Sequence, residues 1–441
     1  MVLLMLKGVL KNKSFKSILN NFSWMFLLKI TELASSFVLG VVLARYFGAE
    51  NYGVYSVILA VATVCSSLST FGLNHLVTKE IKNANKPYNT VIGHAIYFRI
   101  FASLLCFLLV YFFAELVVSD SIAPFLYLIL GAQVFTSFKV VEYFFLASSN
   151  MKPFIILNVS NNMIFLLVKI LVIYFDGSLE DILVTLAIEN LTVGLGSLLV
   201  YKFKASEGIR FSIDKYYSKN LFKMSFPLVL SSLTAIIYLK IDILMLSYFS
   251  SKESVGVYAV ASRLSEVWYV LPTLISSAVF PKILELKSKN HERYLIGIQK
   301  MLDFLSASAF LLSVFITIFA SLIIDILFGS EYSESALVLR IHIWASVFIF
   351  MRAIASKWFI AEDLYYMSFV THGAGAIINV LLNYFLIPTY GPVGAAVATV
   401  FSYAAASYFS LFLAAKGRPL AYAMTKAIFW PRYIFTYFTK S

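Results

Sequence analysis

Long apolar runs separated by short polar breaks fill the chain from about residue 22 to residue 415. A helix that crosses a bilayer takes about 20 apolar residues. Twelve windows meet that length: 22–46, 53–76, 91–114, 122–147, 153–175, 181–203, 221–249, 255–281, 300–328, 335–360, 364–387 and 393–415. Their continuity excludes a membrane β-barrel, whose strands are short and alternate polar with apolar residues. The pattern predicts an all-α polytopic membrane protein with twelve transmembrane helices. The longest polar connection, Lys202 to Lys219, follows the sixth window. It sets the expected division: a six-helix bundle over 1–203, a cytoplasmic linker over 204–220, a second six-helix bundle over 221–415 and a tail over 416–441. The tail is apolar but carries Lys426, Pro431 and Arg432, so it reads as an interfacial amphipathic segment rather than a thirteenth span.

A polar turn recurs in the two predicted halves. Tyr46-Phe47 returns as Tyr248-Phe249, 202 positions on, and Gly53-Val54-Tyr55 returns as Gly256-Val257-Tyr258, 203 positions on. Similarity at a fixed offset points to a duplicated half-protein. In each half the turn joins the first two spans, so the two bundles are expected to be pseudo-symmetric.

Composition agrees with the pattern: 60% of residues are hydrophobic, 13% are charged and the mean hydropathy is +0.85. Charge adds the orientation. With the N-terminus in the cytoplasm, the inner connections and both ends hold 23 Lys and Arg, among them Lys7, Lys11, Lys86, Lys215 and Lys289, and the outer turns hold 2, Arg45 and Lys252. The outer turns carry acids instead, including Glu50, Glu115, Asp120 and Glu331. This asymmetry predicts that both termini are cytoplasmic. The net charge of +12 is thereby a topology signal, and a nucleic-acid partner is not expected. No cleavable signal is expected, because the basic first twenty residues lead into a full-length span with no small-residue cleavage site. Cys65 and Cys106 sit inside apolar runs and read as small buried hydrophobes. There is no phosphate-binding glycine loop, no metal-spaced His/Cys cluster and no long soluble loop, so neither ATP hydrolysis nor a cofactor is expected, and the chain reads as a non-enzyme.

Ten Lys and Arg remain inside the windows. Lys223 and Lys357 lie near inner ends and can snorkel. The other eight, Lys29, Arg99, Lys139, Lys169, Lys240, Arg263, Arg340 and Arg352, each cost about 2.5–3.5 kcal/mol to insert and should face a cavity or a partner. The intramembrane acids are Glu32, Glu142, Glu189, Asp242, Glu266 and Asp303. Lys29 and Glu32, Lys139 and Glu142, and Arg263 and Glu266 are three apart on one helix face, which suits either local neutralisation or a cation able to exchange its partner for a substrate anion. Arg99, Arg340 and Arg352 have no such neighbour. The excess of cations predicts an anionic substrate held by Arg99, Arg340, Arg352, Lys29, Lys139, Arg263 and Lys240. Glu189, Asp303, Glu32 and Asp242 are the candidates for ion coupling.

The turn Ala44-Arg45-Tyr46-Phe47-Gly48 to Gly53-Val54-Tyr55, the later Gly72-Leu73, and Asn383-Tyr384-Phe385-Leu386-Ile387-Pro388 followed by Tyr390-Gly391-Pro392-Val393-Gly394-Ala395-Ala396-Val397-Ala398-Thr399 resemble the Wzx-type oligosaccharide flippases of the MOP (MATE-like) superfamily. That resemblance implies two bundles around a central cavity, alternating access, and translocation of undecaprenyl-diphosphate-linked repeat units of O-antigen or a related surface polysaccharide across a bacterial inner membrane. It also implies partners in the same pathway, a polymerase and a chain-length regulator. A multidrug or cation antiporter of the same superfamily and an intramembrane polysaccharide polymerase are the alternatives.

Overall fold

A computed structural model of the chain describes residues 13–83, 86–113, 122–205, 207–211 and 214–429. Lys7, Lys11, Glu115, Asp120, Pro431 and Arg432 lie outside them. The helices are α1 (Lys13–Ser69), α2 (Asn74–Asn83), α3 (Tyr88–Phe113), α4 (Ala123–Ala147), α5 (Lys152–Tyr174), α6 (Leu179–Lys204), α7 (Lys215–Phe249), α8 (Lys252–Lys289), α9 (His291–Phe328), α10 (Ser335–Ala361), α11 (Tyr366–Leu413) and α12 (Arg418–Phe429). Among the described residues there is no strand. Nine of these helices are long and apolar enough to cross a membrane, or ten if the bent α7, Lys215–Thr234 with Tyr238–Phe249, is one span. The chain is a multi-pass membrane protein.

The count falls short of the twelve windows because two polar breaks are not loops. Windows 22–46 and 53–76 run together in α1, where Gly48 alone leaves helical geometry at φ 73°, ψ 176°. Windows 364–387 and 393–415 run together in α11, broken at Gly391 with φ 52°, ψ −129° between Pro388 and Pro392. Only glycine adopts such positive φ without penalty, so one residue turns the chain and helix resumes at once.

The chain divides into two compact units, one reaching to Val42 and continuing over Val61–Ser232, the other comprising Leu43–Ala60 and the chain from Leu233 onward. In the first unit Val77, Ile92, Ile96, Val140, Phe145 and Phe154 form the core. A Cβ on Gly194 would lie 2.3 Å from the Phe135 carbonyl, so glycine lets α6 reach the backbone of α4. The segment before α7 is tied to the start of α3: Lys86 Nζ reaches Asp214 Oδ2 at 2.5 Å, and Asn89 Nδ2 donates to Glu207 Oε2 at 2.7 Å. Asp214 also accepts from the Tyr217 N–H, capping α7. The Lys86 ammonium and that N–H hold the Asp214 carboxyl below its ordinary range.

In the second unit the core runs through Leu302, Leu305, Met351, Ile354, Phe359, Met367 and Leu411, and α12 supplies Leu420 and Met424. Gln299 Nε2 donates to the Ala423 carbonyl at 3.0 Å, fixing α12 on α9. The turn of α1 packs here as well. Arg45 donates from Nε to Leu327 O at 2.7 Å and from Nη2 to Ile326 O at 2.5 Å, satisfying carbonyls that the end of α9 leaves unpaired. Glu331 Oε1 accepts from the Ala49 N–H at 2.7 Å, and the Tyr332 hydroxyl donates to Ala44 O at 3.0 Å.

Candidate functional site

In the first unit five of the intramembrane charges share one neighbourhood. Lys29 and Glu32, on the first arm of α1, form an ion pair of 3.5 Å with both side chains about half exposed. Arg99 on α3 is buried, and its Nε has no hydrogen-bond partner. Lys139 and Glu142 lie at the end of a 3-10 stretch in α4, Val134–Val141. With three residues per turn, positions i and i+3 eclipse, which aligns these two charges. Glu142 feels the fields of Lys139, Arg99 and Glu32. Three cations face two acids, a surplus of one positive charge on a partly accessible surface. A phosphate oxygen can compete there for the ammonium and guanidinium donors.

Lys169 and Glu189 stand apart from that group. They form a buried ion pair between α5 and α6. Glu189 has no basic neighbour one turn away in sequence, and its partner comes from the adjacent helix.

The second unit holds a different arrangement. Asp242 on α7 is buried and accepts four hydrogen bonds: from the Tyr258 hydroxyl at 2.8 Å, Thr399 Oγ1 at 2.7 Å, Asn379 Nδ2 at 2.9 Å and Asn383 Nδ2 at 2.5 Å. Asn383 Oδ1 is buried with no partner. Turning either amide over exchanges its nitrogen for its oxygen. So turned, the cage gathers Asp242, Asn379, Asn383 and Thr399 oxygens, ligands of the kind that a hard cation takes. Among the described residues no group of three or more His, Cys, Asp or Glu is placed to hold a metal ion.

Lys240, two residues from Asp242, pairs with Glu266 at 3.3 Å. Arg263 lies over the Tyr52 ring, 5.8 Å from its centroid. Arg340 is exposed and donates to Ser321 Oγ at 2.9 Å. Asp303 is buried and accepts from Gln299 Nε2 at 2.7 Å. Arg352 is buried and donates to Thr371 Oγ1 and Ala406 O.

The structure brings Lys29, Glu32, Arg99 and Lys139 together, and around Asp242 it places Tyr258, Asn379, Asn383 and Thr399, which a count of charges does not single out. A signal was present. Asn379 and Asn383 are one helical turn apart inside an apolar run, and two amides on one face of a membrane helix need a polar partner.

Comparison with known proteins follows the same lines. Residues 18–287 match the model for "Polysaccharide biosynthesis protein", and residues 191–438 match that for "Lipid II flippase MurJ". A probable low-salt glycan biosynthesis flippase, Agl15 of Haloferax volcanii, is 27% identical over 205 residues, 45% of this chain and 43% of that one. The matched stretch therefore spans less than half of that relative. Among solved structures, the lipid II flippase MurJ in its inward closed conformation superposes with a TM-score of 0.69 at 16% identity, over 95% of this chain and 93% of the other. An inward-facing MATE family multidrug resistance transporter of the MOP superfamily gives 0.61 at 14%, over 93% and 96%. At such identities the likeness is one of fold.

Proposed function

We propose, from the premise that this chain belongs to the polysaccharide biosynthesis protein family, that it is a flippase for a lipid-linked glycan. The cargo is a repeat unit of O-antigen or a related surface polysaccharide on a polyprenyl diphosphate such as undecaprenyl diphosphate. It passes from the cytoplasmic to the periplasmic face of a bacterial inner membrane by alternating access, with both termini cytoplasmic. A polymerase and a chain-length regulator take up the product. Twelve spanning segments fit this reading when α1 and α11 are each counted as two at their glycines and α7 as one.

The observation that carries the proposal is the cation surplus at Lys29, Arg99 and Lys139, a group suited to the diphosphate. In the second unit Arg263 and Lys240 are further candidate contacts. The drive is an ion gradient read at Asp242. That carboxylate has a cage of exchangeable polar partners, whereas Glu189 and Glu32 are each tied to a lysine.

The test is deletion of the gene followed by analysis of lipid-linked sugars on each membrane face. Single repeat units should accumulate on the cytoplasmic face, the intact gene should clear them, and drug sensitivity should not change. Normal export in the deletion strain, or a drug phenotype alone, would defeat the proposal.

A further inference from the structure

Arg352 uses only one of its nitrogens. Nη1 donates to Thr371 Oγ1 at 2.6 Å and to the Ala406 carbonyl at 2.9 Å. That carbonyl is available because α11 makes a π turn over Ala405–Phe409, in which the Ser410 N–H donates five residues back, to Ala405 O. Gly375 brings the two arms of α11 close at this level: a Cβ there would meet Ala406 Cβ at 2.6 Å. Nε and Nη2 of Arg352 are buried and have no hydrogen-bond partner. They are the two donors along one edge of the guanidinium, the fork that grips a carboxylate or phosphate through two oxygens.

The surroundings are aromatic. The Phe359 ring lies 5.5 Å from the guanidinium carbon, and the Tyr238 ring lies 5.5 Å from His372 and 5.1 Å from Tyr403. His372 Nδ1 and Ser407 Oγ, each one residue on from an Nη1 partner, are also buried without a partner. Among the described residues no carboxylate forms an ion pair with Arg352, whereas Lys240, Lys287 and Lys289 each have one. Arginine does not shed its proton, and a charge buried in apolar surroundings persists only when it is compensated.

We propose that the Nε–Nη2 edge of Arg352 is an anion site within the second unit, filled by a phosphate or carboxylate group. The Ser407 hydroxyl and the Nδ1-protonated tautomer of His372 complete the set of donors. The proposal does not depend on the flippase reading. The same chemistry is offered by a free anion and by the phosphate of a lipid headgroup.

Thermal unfolding of the purified protein in non-ionic detergent, at constant ionic strength, distinguishes the two sources. Inorganic phosphate or acetate is expected to raise the midpoint saturably for the wild type and not for Arg352→Gln. Arg352→Lys keeps the charge and loses the fork, so its apparent affinity should fall tenfold or more. Ser407→Ala should weaken the response without removing it. If a headgroup is the occupant, added phosphate leaves the midpoint unchanged, and native mass spectrometry finds a phospholipid retained by the wild type and lost from Arg352→Gln. Should Arg352→Gln not fold, the wild-type titration and Ser407→Ala carry the test. The site is refuted if the wild type neither responds to these anions nor retains a phospholipid, or if Arg352→Gln or Ser407→Ala behaves as the wild type does.

Discussion

Gly53 and Gly256 each leave room for a backbone carbonyl from the other's turn. A Cβ on Gly53 would lie 1.9 Å from Lys252 O, and one on Gly256 would lie 2.0 Å from Ala49 O. Gly53 and Gly256 are 203 residues apart, and so are Ala49 and Lys252. The internal repeat thus packs on itself, with the two copies exchanging roles. The obstructing atoms are backbone, so no side-chain rotation relieves the clash. Gly53→Ala and Gly256→Ala should each destabilise by about 1–3 kcal/mol, the usual range for overpacking, and by similar amounts. Gly131→Ala, where a Cβ meets nothing within 4 Å, should be neutral. Thermal unfolding of the three variants checks this, and a wild-type midpoint for Gly53→Ala would show that the contact is not kept.

Asp242→Asn preserves the shape of the polar cage and removes its charge. Transport should persist at a low level and stop responding to an imposed proton or sodium gradient. Asp242→Ala removes the acceptor that Tyr258, Thr399, Asn379 and Asn383 share; Thr399 keeps the Ala395 carbonyl, Asn379 the Ser402 hydroxyl and Asn383 the Asn379 oxygen, so the loss is that of the four bonds themselves, about 0.5–1.5 kcal/mol each. Its unfolding midpoint should fall well below that of Asp242→Asn. Gradient-dependent export by Asp242→Asn would assign coupling elsewhere.

Lys169→Met or Glu189→Met alone strands a buried charge and should destabilise by about 3–5 kcal/mol. The double variant Lys169→Met with Glu189→Met should recover most of that loss, because an apolar pair replaces the ion pair. A double-mutant cycle on thermal unfolding measures the coupling. Export by the double variant separates structure from transport: retention marks the pair as structural.

Arg99→Ala should reduce surface glycan at least tenfold at normal protein levels, in keeping with about 2–5 kcal/mol for a lost contact to a buried anion. Arg99→Lys should restore part of it, since charge returns without the planar fork. Lys223→Ala, where the exposed side chain can snorkel, should stay within about 0.5 kcal/mol of wild-type stability, as surface substitutions do, with export unchanged. Equal export by Arg99→Ala and Lys223→Ala would remove Arg99 from the diphosphate site.

The tie between Lys86 and Asp214 has a defined pH dependence. A carboxyl whose folded value is depressed contributes stability that is fully present above its unfolded value, here 3.8, and is lost as pH falls through the lower folded value. In Lys86→Met the loss should begin at higher pH, because the largest cause of the depression is gone. Hydrogen exchange of the Tyr217 amide, which Asp214 Oδ1 accepts, reports the change: it should accelerate at higher pH in the variant. Identical profiles would mean that Lys86 does not set the Asp214 titration.

The all-helical class, the repeat and the count of charges within the apolar runs are legible in the sequence because each depends on order along the chain. Partner choice is not. The three-residue spacing of Lys29 and Glu32 is realised as a pair. Glu266, three residues from Arg263, pairs with Lys240 from another helix instead. Spacing defines which face of one helix a charge occupies, whereas its partner depends on which helix packs there. Arg340 and Arg352 look alike in sequence, each an arginine without a local acid, yet one is exposed and the other buried. The polar breaks at Gly48 and Gly391 look like loops in a hydropathy plot, and only the φ of one residue makes each a break within a helix.

Arg45 waits for a late arrival. Its acceptors, Ile326 O and Leu327 O, are 281 and 282 residues further along the chain. At roughly 5–20 residues per second, the ribosome delivers them on the order of 15–55 s after Arg45 itself. Through that interval the turn at Gly48 has neither Arg45's acceptors nor the carboxylate of Glu331, and most of its flanking helices are already made. A nascent chain stalled before residue 326 should therefore hold this turn accessible to a small thiol reagent at an introduced Ala49→Cys, and the finished protein should close it.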